Sequence, residues 1–113
     1  MPKAPLQVET AGAPARLTRA QRTAILKALA DPRRYELLER IANAGCPLGC
    51  SAALAALHVS AATLSHHIKE LENAGLIEVR REGKFHFLTL NAGVLEAIAM
   101  GLGSLARRSS EQR

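Results

Sequence analysis

Aromatic residues are nearly missing from this chain, which has one Tyr, two Phe and no Trp in 113 residues. Its core must therefore be built from Leu, Ile, Val and Ala, a composition that favours packed helices. No run approaches the ~20 apolar residues that a membrane-spanning helix needs. The segment Met1-Pro2-Lys3-Ala4-Pro5 lacks the apolar core of a signal peptide. Together these absences predict a cytoplasmic protein with no membrane partner. There are only two cysteines, Cys46 and Cys50. In a reducing compartment such a pair is more often two thiols than a structural disulfide. A Gly-rich phosphate loop is missing, and Ser, His and Asp fall at no interpretable catalytic spacing. His66 and His67, being neighbours, take different faces of a helix. The chain does not read as an enzyme.

What remains is an aliphatic, basic chain long enough for one domain. Hydrophobic residues make up 48% of it and the net charge is +5. Excess Lys and Arg suits a polyanionic partner, because cations that neutralise phosphates supply most non-specific nucleic-acid affinity. Charge also serves solubility, so its placement has to decide.

Residues 1–16 carry three of the five prolines and no periodicity, which predicts a disordered arm. Thr18-Arg19-Ala20-Gln21 fits a capping box and opens a helix through Ile25, Leu26 and Leu29. Asp31-Pro32 ends it and starts a second, since Asp caps and Pro suits the first helical position. Tyr35, Leu38, Ile41 and Ala42 are expected to line the buried face of that second helix. Gly45 to Cys50 breaks the pattern. A short helix over 51–57, a turn at His58-Val59, and a helix capped by Ser60 and stopped at Gly75 follow. Ile77 and Val79 alternate with Glu78 and Arg80, and Phe85 and Phe87 with His86 and Leu88. Across Glu82-Gly83 this predicts a β-hairpin. Beyond Asn91 the period is again helical, and Leu95, Ile98, Leu102 and Leu105 form a narrow seam suited to a partner helix. Residues 107–113 read as a disordered basic tail, leaving 17–106 as the folded domain.

Helix, helix, short helix, turn, helix, hairpin, helix is the order of a winged helix-turn-helix: mainly α with one β-hairpin. In the helix after Ser60, Leu64, Ile68 and Leu71 form the inner stripe. At roughly 100° per residue, Ala62, His66, Lys69 and Asn73 point outward, with Thr63 and Ser65 beside them and His67 nearer the buried edge. A small, polar outer face suits the major groove, where Ser, Thr and His bond base edges or phosphates. Ser60, Ala62, Thr63, Ser65 and His66 are therefore expected at bases or phosphates, and His67 and Lys69 at phosphates. Arg80, Arg81 and Lys84 surround the hairpin turn, where long cations reach the DNA backbone or minor groove. The same cations would also keep a sheet edge from aggregating. A pure protein-interaction winged helix would need an apolar outer face instead.

At three places the chain resembles the ArsR family of winged-helix repressors. These are Ala28-Leu29-Ala30-Asp31-Pro32-Arg33-Arg34, the run Val59-Ser60-Ala61-Ala62-Thr63-Leu64-Ser65-His66-His67-Ile68-Lys69-Glu70-Leu71, and Ala74-Gly75-Leu76-Ile77 leading to Arg80-Arg81-Glu82-Gly83-Lys84. The resemblance spans about residues 18–106. It implies a homodimer joined by the first and last helices, which agrees with the seam. Ile25, Leu29, Leu95, Ile98, Leu102 and Leu105 are the expected interface, and double-stranded operator DNA the expected partner. It further implies repression relieved by a ligand, often a metal ion.

Cys46 and Cys50 are the distinctive pair for such a switch. Soft thiolates suit As(III) or another thiophilic ion, and a nearby pair of thiols also oxidises. Metal-sensing relatives often carry Cys-x-Cys at the start of the short helix, whereas the spacing here is Cys-x3-Cys. Two sulfurs leave a three-coordinate ion one ligand short, and His58 is the nearby addition for a zinc site. The resemblance narrowly favours an arsenite-like inducer over a redox signal. The alternative is a winged-helix regulator or interaction module whose thiols sense nothing.

Overall fold

The computed structural model describes residues 16–111. In chain order the elements are α1 (Arg19–Leu29), α2 (Pro32–Asn43), β1 (Leu48–Gly49), α3 (Cys50–Leu57), α4 (Ala61–Asn73), β2 (Ile77–Glu82), β3 (Phe85–Leu90) and α5 (Ala92–Glu111). The N-terminal arm expected over 1–16 lies outside the described residues except for Arg16, and residues 112–113 of the expected tail also lie outside them.

Local chemistry sets the helix ends. Thr18 Oγ1 accepts from the Gln21 N–H at 3.0 Å, and Gln21 Oε1 accepts from the Thr18 N–H at 2.8 Å. This reciprocal pair satisfies two N–H groups that the first turn leaves free. Asp31 Oδ1 accepts from the Arg33 N–H at 2.8 Å, ahead of Pro32 in the first turn of α2. Ser60 Oγ accepts from the Thr63 N–H at 3.0 Å. Gly75, at φ 79°, turns the chain out of α4 in the left-handed region that glycine adopts without steric cost.

Helices α1 to α4 and the start of α5 enclose an aliphatic core against the sheet. Ile25, Leu37, Leu57, Leu71, Leu76, Ile77, Leu88 and Val94 are the largest fully buried side chains. Each contributes about 1.5–3 kcal/mol on burial, before the entropy of ordering the chain is counted. The sheet order is β1-β3-β2, antiparallel throughout, with Val79 opposite Leu88 and Glu82 opposite Phe85. The hairpin turn is Gly83-Lys84, one residue later than expected, with Gly83 at φ 62°.

Three expectations are corrected. On α2 the buried set is Leu37, Leu38 and Ile41, while Tyr35 and Ala42 are exposed. The Gly45–Cys50 break holds a third strand, β1, paired at Leu48 with Leu88. Helix α5 runs to Glu111, so residues 107–111 are helical rather than a disordered tail. No helix among the described residues is long and apolar enough to cross a membrane.

Candidate nucleic-acid interface

The helix-turn-helix pivots on His58, which ends α3 in the left-handed conformation at φ 56°. Few non-glycine residues adopt it. The turn it makes sets α4 across α3, and Arg33 secures the corner by donating from Nη1 to the Leu57 carbonyl at 2.8 Å. Arg34 does the same for α1, its Nε donating to the Ala28 carbonyl at 2.7 Å. Both carbonyls lie in final helical turns, where no intrahelical N–H is left to bond them. Sequence reasoning missed this role for Arg33-Arg34; the only trace was their place after Asp31-Pro32.

Leu64 and Leu71 seat α4 in the core. On its outer side Ala62, Thr63, Ser65, His66, Lys69 and Asn73 are all exposed. Ser60 is exposed too, but its hydroxyl is engaged: it donates to Thr63 Oγ1 at 2.9 Å while accepting from the Thr63 N–H. No acidic residue stands in the first turn of α4. Its N-terminus therefore keeps the positive end of the helix dipole open to an anion.

His67 departs from the expected set of phosphate contacts. It is 5% exposed, and its Nδ1 faces Arg34 Nη1 at 3.4 Å. A ring turned inward cannot reach a phosphate outside. Burial holds its pKa below the ordinary histidine value, with Asp31 pulling the other way.

The wing brings its cations beside this face. Arg81 Nη2 lies 3.5 Å from Glu72 of α4, which brings strand β2 beside that helix. Arg80 pairs with Glu82 at 2.8 Å and lies over the Phe87 ring, 5.3 Å from its centroid. Lys84 Nζ stands 5.9 Å from the Phe85 centroid. These pairs are exposed and hold their cations weakly, so a phosphate can compete for them. Glu72 was not singled out in the sequence, because its partner is brought to it only by the hairpin.

Between α3, α4 and the wing runs a groove of about 480 Å³ lined by Cys50, Ser65, Lys69, Glu72, Arg81 and His86 among others. Cys50 thus opens α3 and lines a groove shared with α4 and the hairpin. Burial pushes its thiol pKa up, against a smaller opposing effect of Arg81. Cys46 is exposed in the preceding turn, and both thiols are free. Among the described residues no three His, Cys, Asp or Glu side chains cluster as metal ligands.

The expected dimer seam divides. Ile25 is 0% and Ile98 5% exposed, so both belong to this chain's own core. Leu29 and Leu95 are half-buried and pack against it. Leu102 and Leu105 are left uncovered, with Met100 on the same helix and Leu26 on α1. A groove of about 750 Å³ runs along this region, lined by Leu17, Arg22, Met100, Leu102 and Leu105 among others.

Comparison with known proteins agrees with this arrangement. A family model described as a helix-turn-helix domain matches residues 29–80. The arsenical resistance operon repressor of Staphylococcus aureus is 35% identical over 89 residues, which is 79% of this chain and 82% of that protein. Among solved structures, an ArsR family transcriptional regulator superposes with a TM-score of 0.75 at 23% identity, over 88% of this chain and 99% of its own. The homodimeric winged helix-turn-helix DNA-binding domain of a possible ArsR-family regulator from Mycobacterium bovis gives 0.62 at 26% identity, over 83% and 85%.

Proposed function

The chain belongs to the ArsR family of winged helix-turn-helix transcriptional regulators, which are not enzymes, and on that premise we propose that it represses transcription as a homodimer that reads operator DNA with α4. The observation that carries this reading is the exposed, small and polar face of α4 with the basic wing beside it, where Arg81 lies 3.5 Å from Glu72 of α4. Ala62, Thr63, Ser65 and His66 meet base edges, and Lys69 meets phosphate. Arg80, Arg81 and Lys84 hold the flanking backbone. Ser60 acts by presenting the start of α4 rather than by its own occupied hydroxyl.

A second copy of the chain covers Leu102, Leu105 and Met100 on α5. The support is their exposure, together with the homodimeric state named for the M. bovis domain. Residues from 17 through the end of α5 then form one DNA-binding and dimerisation domain. An apolar recognition face, which a pure protein-interaction module would need, is not what α4 presents.

For the inducer, the thiols of Cys46 and Cys50 are the candidates, with an arsenite-like metalloid favoured over oxidation. The name of the staphylococcal relative supports this. A second reading, with no cysteine sensing, draws support from the half-buried position of Cys50 and the lack of a third ligand among the described residues. Operator release measured with arsenite, zinc, peroxide and persulfide separates them. Under the thiol reading Cys46→Ser or Cys50→Ser binds DNA but no longer releases it. A double serine variant that releases DNA like the parent establishes the second reading.

A further inference from the structure

Among the described residues, His67 is the one polar side chain in the buried set, and it sits on α4 directly behind the exposed face. The Arg34 guanidinium that it meets has two further partners. Nε donates to the Ala28 carbonyl at 2.7 Å, and Nη1 lies 3.8 Å from the Asp31 carboxylate. One side chain of α2 thereby touches the end of α1, the cap of α2 and the middle of α4. A guanidinium carries donors only and keeps its charge at any relevant pH. His67 Nδ1, 3.4 Å from it, must therefore be the acceptor. That makes the ring neutral, with its proton on Nε2.

We propose that Arg34 is a positioning residue, fixing the recognition helix against α1 and α2 through neutral His67, so that protonating His67 loosens the reading face and lowers DNA affinity while the fold survives. The proposal rests on the DNA-binding reading above. Around the ring stand Asp31 from the turn before α2, Arg33 and Arg34 from α2, and His66 from α4 itself. A proton on Nδ1 removes the acceptor and sets an imidazolium against a guanidinium, with only the Asp31 carboxylate to offset them. Protonation thus removes the contact that seats α4 against α1 and α2.

His66 would mask the effect, because its own protonation attracts phosphate, so every protein compared carries His66→Gln. Imidazole nitrogen shifts give the His67 tautomer by NMR without DNA. Fluorescence anisotropy then follows a duplex selected from a random-sequence pool by the His66→Gln protein itself. The expected ring carries its proton on Nε2 near pH 7.5. Affinity falls toward a loss of about tenfold as the pH drops below both the free and the DNA-bound pKa, the limit set by about one unit of difference between them. His67→Gln, whose carbonyl accepts from Arg34 throughout, changes by less than about threefold over the same range. His67→Leu binds weakly over the whole range yet still unfolds cooperatively. A proton on Nδ1 near pH 7.5, or equal pH ratios for the protein that keeps His67 and its His67→Gln variant, overturns the proposal. A wild-type chain that, put through the same selection, yields no duplex at all removes the DNA-binding reading instead, and the NMR arm still judges the Arg34–His67 contact.

Discussion

Replacing Leu102 and Leu105 together by Ser tests the dimer surface where it can be calculated. The two side chains are 53% and 54% exposed, so each still offers about half a leucine to a partner. Burying a whole Leu is worth about 1.5–3 kcal/mol, and half of one about 1 kcal/mol. A twofold interface contains each residue twice, which brings the loss to about 4 kcal/mol over four half-leucines. At about 1.4 kcal/mol per factor of ten, the dimer Kd should weaken about a thousandfold. Stability of the single chain should change little, since substitutions at exposed sites usually stay within about 0.5 kcal/mol. Sedimentation equilibrium reads the first quantity and thermal unfolding of the dissociated protein the second. A double variant that dimerises within about tenfold of the parent would refute the assignment of this face.

Three further outcomes follow from the same geometry. Arg81→Ala or Lys84→Ala, removing one phosphate contact per protomer, should lower the slope of log affinity against log salt by about 1.8 per dimer, as filter binding across salt concentrations reads. Ser60→Ala should cost about 1 kcal/mol of stability, measured by urea unfolding, because the Thr63 N–H loses its acceptor. His67 gives stability a pH dependence: its folded pKa lies below the unfolded value, chiefly through burial. The unfolded chain therefore binds the extra proton first, and stability falls as pH drops from about 6.5 toward the folded pKa. Urea midpoints should move down over that window in the parent and stay level in His67→Gln.

Much of the fold was legible because its signals are local. Thr18, Asp31, Ser60 and Gly75 act on backbone groups within a few residues, so their spacing alone places the helix ends. Strand β1 was not legible, since two residues carry no period and Leu48 is strand only because β3 lies beside it. On α2 the spacing Tyr35, Leu38, Ile41 takes in an exposed Tyr35, whereas the face that meets the core is Leu37, Leu38 and Ile41. Periodicity also showed that Ile25, Ile98, Leu102 and Leu105 lie on apolar faces. It could not show that the chain covers the first two itself and leaves the others bare. The outer face of α4 followed from helix geometry, but the inward turn of His67 depends on an arginine 33 residues away. The Glu72–Arg81 pair is equally non-local.

The central claim is that the outer face of α4 reads bases while the wing holds the backbone. Selection from a random-sequence duplex pool, run side by side with the wild-type chain and a Ser65→Ala/His66→Ala variant, tests it most directly. The wild type should enrich a twofold-symmetric motif with half-sites about one helical turn, or about two, apart. The variant should still bind DNA through the wing but with a relaxed or altered base preference within each half-site. Recovery of the same motif at the same information content by both proteins would contradict the claim.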